Sequence, residues 1–138
     1  MSTLPDKIKQ IETFIKNEID FFQTITKDID RDLYISNPIL RRAIDKSLND
    51  IVLAIVDLSM NALRFKKRNI PKTYKDIILV TFEFVGDIAY KIAPLTKCRN
   101  ETIHGYMNIN WENVKTVRNS INEILSFVEK LINCVRQK

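Results

Sequence analysis

A long stripe of apolar residues that begins at Pro38 constrains the fold more than any other feature of the sequence. Ser36 and Asn37, directly before the proline, are typical of a helix start. The cationic run at 66–68 suits the negative end of a helix dipole. The three- and four-residue spacing predicts a helix over 38–65 that buries its apolar face against other elements. The stripe consists of Leu40, Ile44, Leu48, Ile51, Ile55, Leu58, Ala62 and Phe65.

Apolar residues at helical spacing also mark the segments on either side of this long helix. A first helix begins near Pro5 and Asp6 and extends to at least Phe22. Residues 26–37 carry no clear period. After a break at 69–71, Thr73 can cap a third helix that runs through Val85. The sequence up to this point therefore predicts three helices.

The rest of the chain predicts one or two more helices. Gly86 separates the third helix from a fourth, and Pro94 lies within the fourth pattern, so that helix either begins near the proline or kinks there. A last helix runs from Asn110, as N-cap, to about Arg136. With two glycines and four prolines in 138 residues, turns are few. We therefore predict an all-α antiparallel bundle of four to five helices in a single domain, 1–138.

Composition excludes several classes of function. Cys98 and Cys134 do not make a disulfide framework, and there is no set of four metal ligands, so we expect neither a metal nor a cofactor. The chain has no run of about eighteen uncharged apolar residues and no apolar signal sequence at its start, so we expect a cytoplasmic protein. The net charge of +5 indicates a mild preference for anionic partners.

One octapeptide, residues 99–106, concentrates the groups that can do chemistry. It contains His104, the single histidine of the chain, whose residue type exchanges protons near neutral pH. Asn100 and His104 are four residues apart and share one face of a helix. Arg99 lies about 140° round the helix from His104, at about 100° per residue. Its long side chain can reach round, or a second copy of the chain can supply the arginine.

The pattern Arg-x4-His-x-Tyr, with Asn100 directly after Arg99, resembles the signature of HEPN-domain ribonucleases of the HepT toxin type. The long second helix, the Pro71-x-x-Tyr74 start of the third helix and the final amphipathic helix are also similar to that family. The resemblance covers roughly residues 5–135. The sequence departs from the family at 86–88, which is shorter than the acidic, glycine-containing turn that members often carry.

That resemblance implies a metal-independent endoribonuclease, the toxin of a toxin–antitoxin pair, in which the ribose 2′-hydroxyl attacks the adjacent phosphate and leaves a cyclic phosphate. His104 would move a proton to or from the reacting oxygens, and Arg99 would stabilise the transition-state charge. Asn100 would orient His104 or hold a phosphate oxygen. A nucleotidyltransferase antitoxin of the MNT type would attach AMP to Tyr106, and a homodimer would bring two motifs into one cleft. Lys97 is a candidate phosphate contact.

Each of these residues also has a purely structural interpretation. His104 can be the partner of a helix dipole, and Arg99 can pair with Glu101 or Glu83. The motif tyrosine can be an aromatic residue at the edge of the core, and Lys97 can be a solvated helix lysine. The matching alternative function is a non-catalytic helical protein that binds a nucleotide or a nucleotidyltransferase. The RNA substrate is not predicted, because no recognised base-reading array of aromatic residues is present.

Overall fold

The computed structural model describes residues 3–103 and 110–136, without the side chains of 100–103. Every regular element in these ranges is a helix, which confirms the predicted all-α bundle. The helices are α1 (Leu4–Thr26), α2 (Arg31–Ser36), α3 (Pro38–Phe65), α4 (Tyr74–Leu79), α5 (Phe82–Val85), α6 (Ile88–Ile92), α7 (Leu95–Ile103), α8 (Trp111–Asn119) and α9 (Ile121–Arg136).

Side-chain caps fix where α1, α2, α3 and α4 begin, and Asp30 is the cap of α2. Thr3 and Asp6 each bond the backbone N–H of the other and form a capping box at the start of α1. The Asn37 side chain accepts a hydrogen bond from the backbone N–H of Leu40, and Thr73 caps α4 in the same way. The helix starts predicted at Asn37 and Thr73 are therefore confirmed, and each cap satisfies a backbone donor that the helix itself leaves unpaired.

Two of the predicted helices are divided by a tight turn. The third predicted helix becomes α4 and α5, because the Ile78 carbonyl accepts hydrogen bonds from both the backbone N–H and the hydroxyl of Thr81. The last predicted helix becomes α8 and α9, and there the Ser120 N–H donates to the Val117 carbonyl at 3.0 Å. Both contacts span three residues rather than four, so the backbone tightens and the regular α-helix is interrupted there.

The structure between α5 and α7 shows whether the fourth predicted helix begins near Pro94 or kinks there. The fourth predicted helix is two helices, and α7 begins directly after this proline. Gly86 ends α5 with φ 75° and ψ −150°, a backbone conformation that is essentially restricted to glycine. Residues 26–37, which showed no period, contain α2, whose Tyr34 is fully buried. Asn110 precedes α8 as predicted, although its side chain makes no capping hydrogen bond.

The centre of the molecule is α3, which packs against α1, α2, α4, α7, α8 and α9. Its apolar stripe faces inward and belongs to a single cluster of buried side chains drawn from most of the described helices. Each fully buried Leu or Ile contributes roughly 1.5–3 kcal/mol relative to an exposed one. The α3 residues with no exposed surface include Ile44, Leu48, Ile51, Ile55 and Leu58.

The carboxyl end of α3 closes in a Schellman turn. The backbone N–H of Arg68 donates to the Leu63 carbonyl at 2.8 Å, and that of Lys67 donates to the Arg64 carbonyl at 3.0 Å. Lys67 has φ 58°, at a position where glycine is usual. Lys67 and Arg68 are exposed, in agreement with a solvated helix end, whereas Lys66 lies over two aromatic rings.

Two further predictions concern membrane contact and the cysteines. Across the described ranges, no helix combines the length and apolar character that crossing a bilayer requires. Cys98 on α7 and Cys134 on α9 are not joined in a disulfide, and both are buried. Burial raises the pKa of the Cys134 thiol. Both cysteines therefore pack as small apolar residues of the core.

Candidate active site

The motif lies on α7 and on the segment that follows it. Lys97 and Arg99 are on α7, and the backbone of Asn100 is in the same helix. The Asn100 side chain, His104 and Tyr106 lie outside the described part of the structure. The predicted proximity of Asn100 to His104 and the predicted accessibility of Tyr106 therefore stay predictions.

Buried neighbours on both sides fix the position of Arg99. Leu95 and Cys98 are nearly inaccessible to solvent and attach α7 to the core. Arg99 is half-buried, and its Nε donates a hydrogen bond to Oδ1 of Asn49 at 3.0 Å. Its guanidinium lies over the ring of Tyr74, with 5.2 Å between the guanidinium carbon and the ring centroid. These contacts hold a permanent positive charge in one place while part of the side chain still meets solvent.

The two partners of Arg99 come from distant parts of the chain. Asn49 is near the middle of α3, and Tyr74 is the first residue of α4, where the Thr73 cap fixes the helix start. Sequence reasoning missed Asn49, because nothing in its spacing connects it to a residue fifty positions away. The Pro71-x-x-Tyr74 resemblance points to Tyr74 but gives no indication of its contact with Arg99.

Glu83, one of the proposed alternative partners of Arg99, pairs with another arginine. Arg68 donates to it through Nε and Nη2, and the shortest contact, Nη2 to Oε1, is 2.7 Å. These hydrogen bonds hold the pKa of the Glu83 carboxyl below its ordinary value. The Glu101 side chain, the other alternative, is outside the described part. Lys97 is exposed, as expected of either a phosphate contact or a solvated lysine.

A buried polar cluster supports the segment on which the chain returns from the motif. The hydroxyl of Tyr34 donates to Oδ1 of Asp45 at 2.6 Å, and its ring lies 5.4 Å from that of Trp111, the first residue of α8. The Arg118 guanidinium lies over Trp111, and its Nη1 donates to the Thr26 carbonyl at 2.6 Å. The cluster therefore anchors the start of α8 to α1, α2 and α3. Nothing in the period of 26–37 indicated it.

Burial dominates the electrostatics of this cluster. Burial and the neighbouring Asp45 carboxylate raise the pKa of Tyr34, so its hydroxyl keeps its proton. Burial also raises the pKa of Asp45, although the hydrogen bond from Tyr34 and the charge of Arg41 oppose the shift. Within 3–103 and 110–136, no group of three or more His, Cys, Asp or Glu side chains could hold a metal ion.

Arg99 has the properties of an anion-binding group. A guanidinium presents several N–H donors in a planar fork that matches two phosphate oxygens. An amide oxygen, that of Asn49, and an aromatic ring, that of Tyr74, orient this group. The arrangement is therefore suited to a phosphate or to a developing negative charge at the edge of α7.

Comparison with known proteins gives one match. A family model described as Ribonuclease HepT-like matches residues 15–131. No curated protein and no solved structure matches the chain. The matched range extends from the middle of α1 into α9 and includes Asn49, Tyr74 and the whole octapeptide 99–106.

Proposed function

The chain belongs to the HepT-like ribonuclease family, and from that membership we propose that it is a metal-independent endoribonuclease that acts as the toxin of a toxin–antitoxin pair. The resemblance first inferred from the motif is confirmed at the level of the family. One observation carries the proposal: the family match spans residues 15–131, a range that includes the octapeptide with Arg99, Asn100, His104 and Tyr106.

The proposed reaction is a transfer within the RNA itself. The 2′-oxygen of a ribose attacks the adjacent phosphorus while the bond from phosphorus to the 5′-oxygen breaks, which leaves a 2′,3′-cyclic phosphate and a free 5′-hydroxyl. His104 takes the 2′-hydroxyl proton or gives a proton to the leaving oxygen. Arg99 stabilises the charge that builds up on the non-bridging oxygens, and Asn100 orients His104 or a phosphate oxygen. The fixed position of Arg99 between Asn49 and Tyr74 supports this assignment.

A cleavage assay with matched arginine variants tests the proposal. Purified protein is incubated with total RNA in EDTA, beside Arg99→Ala, His104→Ala and Arg64→Ala. Arg64 is an exposed arginine of α3, about 22 Å from Asn49 along the helix at about 1.5 Å per residue, and serves as the control for lost charge. We expect cleavage by the wild type and Arg64→Ala, and a loss of turnover of at least about a hundredfold in the other two.

The loss should affect turnover more than RNA binding, because both groups act mainly in the transition state. Cleavage at the wild-type rate by Arg99→Ala or His104→Ala would refute the assigned roles. A wild-type chain that cuts no RNA yet binds a nucleotide or a nucleotidyltransferase would favour the non-catalytic alternative instead.

Lys97→Ala, in the same assay, is expected to weaken RNA binding modestly if this lysine contacts phosphate.

The proposed antitoxin is a nucleotidyltransferase of the MNT type that attaches AMP to Tyr106. An added phosphate beside Arg99 and His104 would compete for the arginine and repel the RNA backbone, so modification stops cleavage. Intact mass after incubation with the partner enzyme and ATP measures the adduct, and Tyr106→Phe should gain none. An adduct that forms equally on Tyr106→Phe would move the modification to another residue. In this proposal the protein acts in the cytoplasm.

We also propose a twofold homodimer in which the two motifs face one cleft. The angle of about 140° predicted between Arg99 and His104 from helical spacing supports it, because a partner copy can supply the missing group. Light scattering at micromolar concentration should give twice the chain mass, and a monomer that still cuts RNA would contradict the dimer. As a sharper test, mixing Arg99→Ala with His104→Ala should restore part of the activity, because the arginine of one copy and the histidine of the other then form one complete pair in the shared cleft.

A further inference from the structure

A groove of about 500 Å³ lies between α1 and α3, next to Arg99. Tyr74 belongs to both places, since its ring lies under the Arg99 guanidinium and also lines the groove. We call this space the α1–α3 groove. Its lining consists of Gln10, Ile11, Phe14, Asp50, Leu53, Ala54, Val56, Asp57, Met60 and Tyr74.

The residues that line the groove are suited to bind a flat ring that carries some polar groups. Most of the lining is apolar, and two aromatic rings are open to solvent, since Phe14 is 44% exposed and Tyr74 is 37% exposed. The volume is within the usual range of small-ligand sites, about 300–1,000 Å³. Single-stranded RNA bases stack on aromatic side chains and bond through their edges, so a base has the shape and the surface that this groove accepts.

The polar side chains of the groove determine which substituents of a bound ring are favoured. Asp50 and Asp57 are hydrogen-bond acceptors on the same side of α3, and each is engaged through one carboxylate oxygen. Lys46 bonds Oδ2 of Asp50 at 2.8 Å, and Asn61 bonds Oδ1 of Asp57 at 3.1 Å, so each carboxylate has a second oxygen for a ligand. Carboxylates repel phosphate but accept hydrogen bonds from the amino groups of bases.

We propose that the α1–α3 groove is the base-binding subsite of the ribonuclease and prefers a base with an exocyclic amino group, such as adenine or cytosine, over uracil. This inference rests on the proposed function. The phosphate lies at Arg99, the base attached to the same nucleotide turns across Tyr74 into the groove, and the Asp57 carboxylate accepts a hydrogen bond from its amino group. Uracil has no amino group, and its O4 is an acceptor that faces the carboxylates unfavourably.

Binding of single nucleotides tests the groove without any cleavage. The 3′-monophosphates of adenosine, cytidine and uridine are titrated into the wild-type protein, with binding followed by NMR. We expect the adenosine and cytidine nucleotides to bind about tenfold more tightly than the uridine nucleotide, as one charge-assisted hydrogen bond implies. Phe14→Ala should weaken all three by about tenfold through lost stacking. Asp57→Asn should abolish most of the preference, because an amide can donate to uracil O4 as well as accept.

Two matched controls share the residue type but not the groove. Phe21→Ala removes an equally exposed phenylalanine of α1, and Asp20→Asn neutralises an exposed acid of the same helix. Neither residue lines the groove, so both variants should bind like the wild type. Equal binding of the three nucleotides by the wild type, or a preference that persists in Asp57→Asn, would overturn the inference.

The design separates this inference from the proposed function. If total RNA is cut but the nucleotides bind without preference, the ribonuclease assignment stands and the groove assignment falls. If no RNA is cut while the preference and its loss in Asp57→Asn are observed, the groove is a nucleotide site on a protein that does not cleave. Unchanged nucleotide binding in Phe14→Ala together with a changed molecular mass by light scattering would assign the groove to contact with a second copy and overturn the inference.

Discussion

At the scale of single residues, the burial of the Asp45 carboxyl beside Tyr34 makes the stability of the protein depend on pH. Tyr34 is fully buried, and the pKa of Asp45 is raised because burial disfavours its charged form. The folded protein therefore holds the Asp45 proton more tightly than the unfolded chain. The stability contributed by the protonated form is present at low pH. It is lost as the pH rises from about the ordinary value of 3.8 through the higher folded pKa.

Asp45→Asn removes this titration. We expect the free energy of unfolding of the wild type, minus that of Asp45→Asn, to fall as the pH rises above 3.8 and then to level off. Urea unfolding at a series of pH values measures this difference. A difference that grows with pH would mean that the pKa of Asp45 is lowered.

Tyr34→Phe should lower the free energy of unfolding by about 1–3 kcal/mol at neutral pH, because it leaves the Asp45 carboxylate without its buried donor.

The sequence predicts single residues where their chemistry is unusual and not where their role depends on a distant partner. Arg99 and His104 could be selected because a lone histidine in a recognisable motif is informative. Asn49 is an ordinary polar residue of a long helix, and its role exists only because α7 packs beside it. The same holds for Tyr34, which is buried by elements far along the chain.

At the scale of elements, the residue that ends α3 lowers the stability of the protein, because a lysine occupies a backbone conformation that suits glycine. Lys67 has φ 58°, a conformation that costs a residue with a side chain about 1–2 kcal/mol, whereas glycine adopts it freely. Lys67→Gly should therefore stabilise the protein by about 0.5–1 kcal/mol, after the greater freedom of glycine in the unfolded chain is subtracted. Thermal unfolding should show a melting temperature a few degrees higher.

The neighbouring lysine is the control for this change. Lys66 has φ −86°, so glycine relieves no strain there and Lys66→Gly should destabilise the protein. A Lys67→Gly variant that is less stable than the wild type would show that the lysine side chain contributes more than its backbone conformation costs. The two variants together separate the backbone effect from the loss of a charged side chain.

Helix starts could be predicted because their signals are local, and several helix ends could not. Asn37 and Thr73 bond backbone groups three residues away, so the sequence contains the whole interaction. The break at Thr81 is associated with a hydroxyl that is fully buried by the rest of the molecule. The end of α3 has a lysine where glycine is usual, so its left-handed turn gave no signal in the sequence.

At the scale of the whole molecule, the apolar stripes were sufficient to predict the bundle. The α3 stripe faces the core as expected, and α9 packs on α1, α3, α5 and α6 through a similar stripe. The division into shorter helices and the presence of α2 depend on tertiary packing. The spacing of apolar residues along the sequence contains no information on that packing. The single domain over 1–138 remains a prediction, and the continuous cluster of buried side chains supports it.

The two buried cysteines make the opening of the fold directly observable. Each thiol can react with a soluble reagent only when its helix leaves the core, so Cys98 reports on α7 beside Arg99, and Cys134 reports on α9. Cys98→Ala and Cys134→Ala separate the two signals. If the chain is one cooperative unit, both thiols should become reactive at the same denaturant concentration. If Cys98 reacts first, the helix that carries the arginine opens while the rest of the protein remains folded.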